Sequence, residues 1–332
     1  MTKIASALTL FVTALICLLP AAPAQAAQRD RVFVASYGSD SNPCTFGSPC
    51  KTFQNAVNVV AAGGEVTAID SAGFGTVQIT QSVTITSPAG IEAGIAAAEG
   101  GTAIYIDAPG ATVKLRGLTL EGANAADYGI EFLSGSRIEV VDCAISGFLV
   151  GGVVITTDTA TTSVLVSNTI ATDNNPGDGG VGVSLNPGVS GTITAALDRV
   201  TLSNDFVGFS TEMYGNSTGS IEALITDSHI DNNHYAGVET EGGSASNISS
   251  TILKNVTLND DGAGNGGLGI YLLSYSSIWL SKVTQTSVTG FVATSIYFYY
   301  GLGGSAIYAY SDGSNHLMGS TFGGGTTPWT PN

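Results

Sequence analysis

One short phrase recurs along this chain of 332 residues: a polar residue, a few apolar or threonine positions, an aliphatic anchor, then a polar turn. It reads Arg116-Gly-Leu-Thr-Leu120, Val141-Asp-Cys-Ala-Ile145, Asp198-Arg-Val-Thr-Leu202, Thr226-Asp-Ser-His-Ile230 and Lys254-Asn-Val-Thr-Leu258. A degenerate copy, Val166-Ser-Asn-Thr-Ile170, fills the gap. The anchors Leu120, Ile145, Ile170, Leu202, Ile230 and Leu258 are spaced by 25, 25, 32, 28 and 28 residues. Units of that period cannot bury an apolar face alone and must stack on their neighbours.

Each repeat carries a second strand announced by glycine, as in Gly129-Ile-Glu-Phe132, Gly182-Val-Ser-Leu185 and Gly237-Val-Glu-Thr240. A third leads into the next anchor, as in Ile138-Glu-Val and Ile221-Glu-Ala-Leu. No helical pattern separates these strands, which excludes βαβ units. The pattern predicts an all-β fold, a single-stranded right-handed parallel β-helix with like positions stacked in columns about 4.8 Å apart. Ahead of it, Phe53, Ala56, Val57 and Val60 recur at helical spacing, and Gly63-Gly64 follows. That predicts one amphipathic helix over residues 51–62, covering the open edge of the first coil.

The first residues read as a secretory leader: Lys3, an apolar stretch over residues 4–19, and the small-residue site Ala24-Gln-Ala26. No later segment is long and apolar enough to span a bilayer. The expected organisation is a signal peptide over 1–26, then an N-terminal strand, disulfide loop and capping helix over 27–64. The β-helix follows over 65–322, and a flexible tail over 323–332. The chain is expected outside the cell, or in the periplasm of a Gram-negative one. Without the leader, nine basic and 26 acidic residues give a formal charge of −17, which argues against nucleic acid or an anionic membrane as partner. Cys44 and Cys50 lie in a Gly/Ser/Pro-rich stretch with no further Cys or His nearby to complete a metal site. A disulfide is expected there over free thiols, and Cys143 is expected to be a small buried residue.

Phe33-Val-Ala-Ser-Tyr-Gly-Ser-Asp-Ser-Asn-Pro-Cys44, Ser48-Pro-Cys-Lys-Thr-Phe53 and Ala61-Ala-Gly-Gly-Glu-Val66 together resemble the opening of secreted bacterial β-helix proteins with a pectin-lyase-like fold. The resemblance implies that fold from about residue 31 to 320. It also implies kinship with pectate and pectin lyases, polygalacturonases and alginate epimerases, whose signatures do not transfer. The polygalacturonase set is missing, and Asn259-Asp-Asp261 keeps only an acidic pair. Tyr128-Gly-Ile130 is followed by Glu131-Phe132 instead of the epimerase Asp-Pro-His, and Asp227-Ser-His229 has the wrong spacing for a pectate lyase.

Three sets of residues could carry chemistry. Counting three past the anchors gives Asp173, Asp205, Asn233 and Asp261, with His234 alongside. Stacked carboxylates about 5 or 10 Å apart would suit glycoside hydrolysis, an oxygen-only cluster would suit Ca2+, and Asn/Asp turn chemistry accounts for the same residues without either. Lys114, Arg116 and Arg137 form the one basic group in the repeats, with Glu139 and Glu131 as expected partners. Tyr271, Tyr275, Trp279, Tyr297, Tyr299, Tyr300, Tyr308 and Tyr310 crowd the last coils, and five of them, Trp279, Tyr297, Tyr299, Tyr308 and Tyr310, are the candidates to offer ring faces to a sugar. Two readings stay open, so whether the chain is an enzyme is undecided by its residues. The favoured one is a solenoid that engages a polysaccharide or cell-surface glycan as a binding or structural protein. The other is a glycoside hydrolase, or less favourably a lyase, using Asp173, Asp205 and Asp261 with His234.

Overall fold

A computed structural model describes residues 29–158, 160–213, 217–242, 248–259, 268–274, 277–284, 287–289, 294–300, 306–311 and 316–317; beyond Tyr271 only strand backbones are described. The chain winds as a parallel β-helix in which each coil gives one strand to each of three parallel sheets. Among the described residues the first sheet has 11 strands, opening with Arg29–Val34 and Val60–Ala68; the second has 9 and the third 10. Inward positions stack in aliphatic columns. One runs Ile85, Leu115, Val140, Val166, Leu197, Ile225, Leu253, all fully buried. Each such side chain contributes roughly 1.5–3 kcal/mol of burial. In the later coils hydroxyls replace aliphatics in the interior and pair with each other: Thr211 with Ser249 at 3.1 Å and Thr240 with Thr251 at 3.2 Å.

The capping helix is shorter than its spacing suggests, Phe53–Val59. The Thr52 side chain caps its start by accepting from the Asn55 amide at 3.2 Å, while Asp40 holds the Lys51 and Thr52 amides at 2.9 Å each. The β-branched pair Val59-Val60 ends it before the glycines, and Gly63, at φ +83°, lies inside the following strand Val60–Ala68. Phe53 packs on Phe74 at 5.0 Å between ring centres, sealing the first coil. Cys44 and Cys50 are bonded and fully buried beneath the same loop.

One anchor moves. Ile145 pairs with Leu120 on one side and with Ala171, not Ile170, on the other; Ala171 in turn pairs with Leu202. The spacings are therefore 25, 26, 31, 28 and 28. The cause is Thr169, which takes the buried place of Cys143: its hydroxyl donates to the Ser167 carbonyl at 3.0 Å and accepts from the Cys143 amide at 3.3 Å. Ile170 is thereby turned outward and is 47% exposed. Cys143 is a free buried thiol, its pKa pushed up by burial to about 11.

Candidate functional site

The corrected register separates the aspartates that counting had put together. Asp173, Asn204 and Asn232 take left-handed backbone at φ +57°, +56° and +56°, which short polar side chains tolerate. The next residue of each coil, Asn174, Asp205 and Asn233, points into the interior and is almost fully buried. These three form a ladder along the solenoid. Asp205 Oδ1 accepts from the Asn174 amide and side chain at 2.9 Å each, and the Asp205 amide donates to Asn233 Oδ1 at 3.0 Å. At the near end Asn174 Oδ1 accepts from the Phe148 amide at 3.1 Å. Among the described residues Asp205 Oδ2 has no hydrogen-bond partner, and burial raises this carboxyl well above the usual aspartate range.

Asp173 lies instead on the surface, lining a cavity of about 470 Å³ with Glu121, Asn124 and Pro176. Asp173 and Asp205 therefore share no groove, and no ligand reaches the Asp205 carboxyl from solvent. Asp261 lies outside the described residues. The His234 amide donates to the Asp205 carbonyl at 2.9 Å, and its ring lies 6.0 Å from Phe206.

The five late aromatics do not share one sheet. Trp279, Tyr308 and Tyr310 belong to strands of the first sheet, Tyr297 and Tyr299 to a strand of the second; their side chains lie outside the described residues. Tyr271 is the aromatic that the structure places, paired in register with Glu239 on the second sheet.

That pairing marks the outer face of the second sheet as the candidate site. Its central column, on the side of the strands away from the aliphatic core, runs Ser184, Ser210, Glu239, Tyr271; Ser184, Ser210 and Tyr271 are nearly buried there, Tyr271 against Val181, Val207 and Ala236. Glu241 lies two residues along the same strand, hence on the same face. Glu212 directly follows Thr211, which pairs with Thr240, and its Oε1 accepts from Ser184 and Ser210 at 3.4 Å each. Burial, with repulsion from Glu241 and Glu212, pushes Glu239 up to about 7; burial, with repulsion from Glu212, does the same to Glu241. Next to them Phe206 and Tyr235 stack at 5.1 Å with planes 3° apart, and Tyr235 meets Tyr271 edge-on at 5.7 Å. Sequence reasoning named Tyr271 and passed over Glu212, Glu239, Glu241, Phe206 and Tyr235. The available signal was two acids at a spacing of two in a glycine-headed strand.

The basic group sits on the first sheet around one carboxylate. Arg137, Arg116 and Lys114 approach Glu139 at 2.8, 3.3 and 3.5 Å. Burial alone would raise Glu139, but the Arg137 hydrogen bond and the charges of Lys114 and Arg137 outweigh it and lower the pKa. Glu131, expected beside them, is on the second sheet and accepts from the Thr102 hydroxyl at 2.9 Å. Among the described residues no group of three or more His, Cys, Asp or Glu side chains is placed to hold a metal ion.

No protein-family model and no curated protein sequence matches the chain. Among solved structures it is similar to a pectate lyase, Pel9A, with a TM-score of 0.57 at 13% identity, covering 88% of this chain and 80% of that one. A rhamnogalacturonan lyase gives 0.51 at 14% identity, over 87% and 86% of the two chains. XylC in complex with xylose gives 0.52 at 9%, over 81% and 68%. At such identities the likeness establishes the architecture, a pectin-lyase-like parallel β-helix.

Proposed function

We propose that this protein engages a neutral or weakly charged polysaccharide outside the cell, through the outer face of its second sheet. The observation that carries the reading is the juxtaposition of Glu239 and Glu241 with the Phe206–Tyr235–Tyr271 cluster. Ring faces stack on the apolar faces of sugars. Carboxyls raised to about 7 are partly protonated at neutral pH, so they both donate to and accept from sugar hydroxyls. A net charge of −16 disfavours a polyanion, and the buried disulfide fits an oxidising compartment. The named neighbours are two polysaccharide lyases and a xylose complex, which supports a carbohydrate ligand.

A second reading, glycoside hydrolysis, is favoured by the same acidic pair. Two interacting carboxyls titrating near neutrality share protons as a pair, so that one acts as acid while the other is ionised. Their backbone positions lie about 6.6 Å apart, within reach of the separations such enzymes use. A polysaccharide panel, scored for retention, new reducing ends and unsaturated-uronate absorbance, separates the readings. Binding predicts retention without turnover, weakened tenfold or more by Tyr235→Ala at unchanged Tm. New reducing ends abolished by Glu239→Gln would move the assignment to hydrolysis. Neither retention nor turnover on any glycan would sink both.

A further inference from the structure

The other end of the same sheet face holds a pocket that neither reading uses. The strand Val77–Ile79 pairs with Thr102–Asp107 only through Ile104, Tyr105 and Ile106. Thr102 therefore overhangs the shorter first coil, and the capping helix closes the gap from the side. The result is a cavity of about 440 Å³ lined by Gln54, Thr76, Val77, Gln78, Thr102 and Tyr105. Its polar groups are held in place: Gln54 Oε1 accepts from the Gln78 amide at 2.7 Å, and Gln54 Nε2 donates to Asn58 Oδ1 at 3.1 Å. Two amides, two hydroxyls and one ring line it, and the only acid beside it, Glu131, is held by the Thr102 hydroxyl at 2.9 Å. Such a lining matches a hydroxyl-rich ring better than an anion or an apolar ligand.

The pocket also lies in line with the acidic and aromatic cluster. Gln78, Tyr105, Glu131, Val154, Ser184, Ser210, Glu239 and Tyr271 form one column in register. Six strand steps separate Tyr105 from Tyr271, about 29 Å at 4.8 Å per step. We propose that this pocket is a second carbohydrate contact, which takes one neutral sugar ring against Tyr105. A polysaccharide held at Glu239 and Tyr271 reaches it by running along the solenoid axis. The axial path rests on the proposed function; the pocket itself does not.

Two measurements on the full chain test it. In the first, methyl β-xyloside and methyl β-glucoside are titrated while the side-chain amide signals of Gln54 and Gln78 are followed by NMR. Saturable shifts in both, lost in Tyr105→Ala and Thr102→Val at unchanged Tm, are expected; no shift in either amide with either sugar overturns the pocket. The second uses linear xylo- and cello-oligosaccharides from disaccharide to octasaccharide. Affinity should climb at least tenfold once the ligand spans both contacts, and Tyr105→Ala should erase that climb alone. A climb that survives Tyr105→Ala overturns the axial path. If polymer retention is also indifferent to Tyr235→Ala and Glu239→Gln, the proposed function fails, and the first titration still decides the pocket.

Discussion

Asp205 occupies a rung that asparagine holds on both sides, and the difference is one atom. Asn233 Nδ2 donates to the Leu202 carbonyl at 3.1 Å; the equivalent atom of Asp205 is an oxygen with no donor facing it among the described residues. Burial and the nearby Asp173 charge raise the carboxyl, so the folded state holds this proton more tightly than the unfolded chain. Stability from this group is fully present below the ordinary aspartate pKa and is lost as pH rises toward the folded value. Asp205→Asn should therefore stabilise the fold at pH 7 by roughly 1–3 kcal/mol, and the gain should fade below about pH 4. Thermal melts across pH check this; destabilisation at pH 7 would contradict it. Glu239 and Glu241 follow the same sign with a window set by their values of about 7. Their contribution falls as pH climbs through neutrality, so Glu239→Gln should flatten the drop in Tm between pH 5.5 and 8.5.

Among the elements, strands and turns answer to different rules, and the glycines mark where they meet. A Cβ on Gly208 would lie 2.7 Å from Asn233 Nδ2 and Ile230 Cγ2 and 2.8 Å from the Gly237 carbonyl, whereas one on Gly47 would meet nothing within 4 Å. Gly208→Ala is expected to cost 1–3 kcal/mol or more, against almost nothing for Gly47→Ala, as read by urea denaturation. The repeat and the glycine-headed strands made the coil legible in the sequence, because aliphatic anchors must stack. The register of one coil was not legible from aliphatics alone: Val166 and Ile170 look like strand and anchor until Thr169 is seen to claim the interior. The left-handed turn column Gly117, Asp142, Asn168, Arg199, Asp227, Asn255 carries the true register. Arg199 in that column shows why composition could not reveal it. The site escaped notice for a related reason. Glu239, Glu241 and Glu212 become neighbours only through strand pairing, while the conspicuous aspartates were serving turns and the ladder.

For the whole molecule, stability is a sum over stacked coils, so the ends decide where unfolding starts. The N-terminal end is closed by the capping helix and by a disulfide spanning six residues. Replacing Cys44 and Cys50 with serine should remove roughly 2 kcal/mol. Limited proteolysis should then cut first within residues 29–60 while the central coils stay intact; a first cut at the central coils would argue against opening from this end. Along the middle of the axis, meanwhile, three glycines of the second sheet each face a ladder residue of a neighbouring coil: Gly152 faces Asn174, Gly182 faces Asp205, Gly208 faces Asn233. Neither partner can grow unless the other first shrinks. These positions, 22 to 25 residues apart, are thus coupled in size: an isosteric exchange such as Asp205→Asn passes alone, while a bulkier residue at either position requires a compensating change at the other.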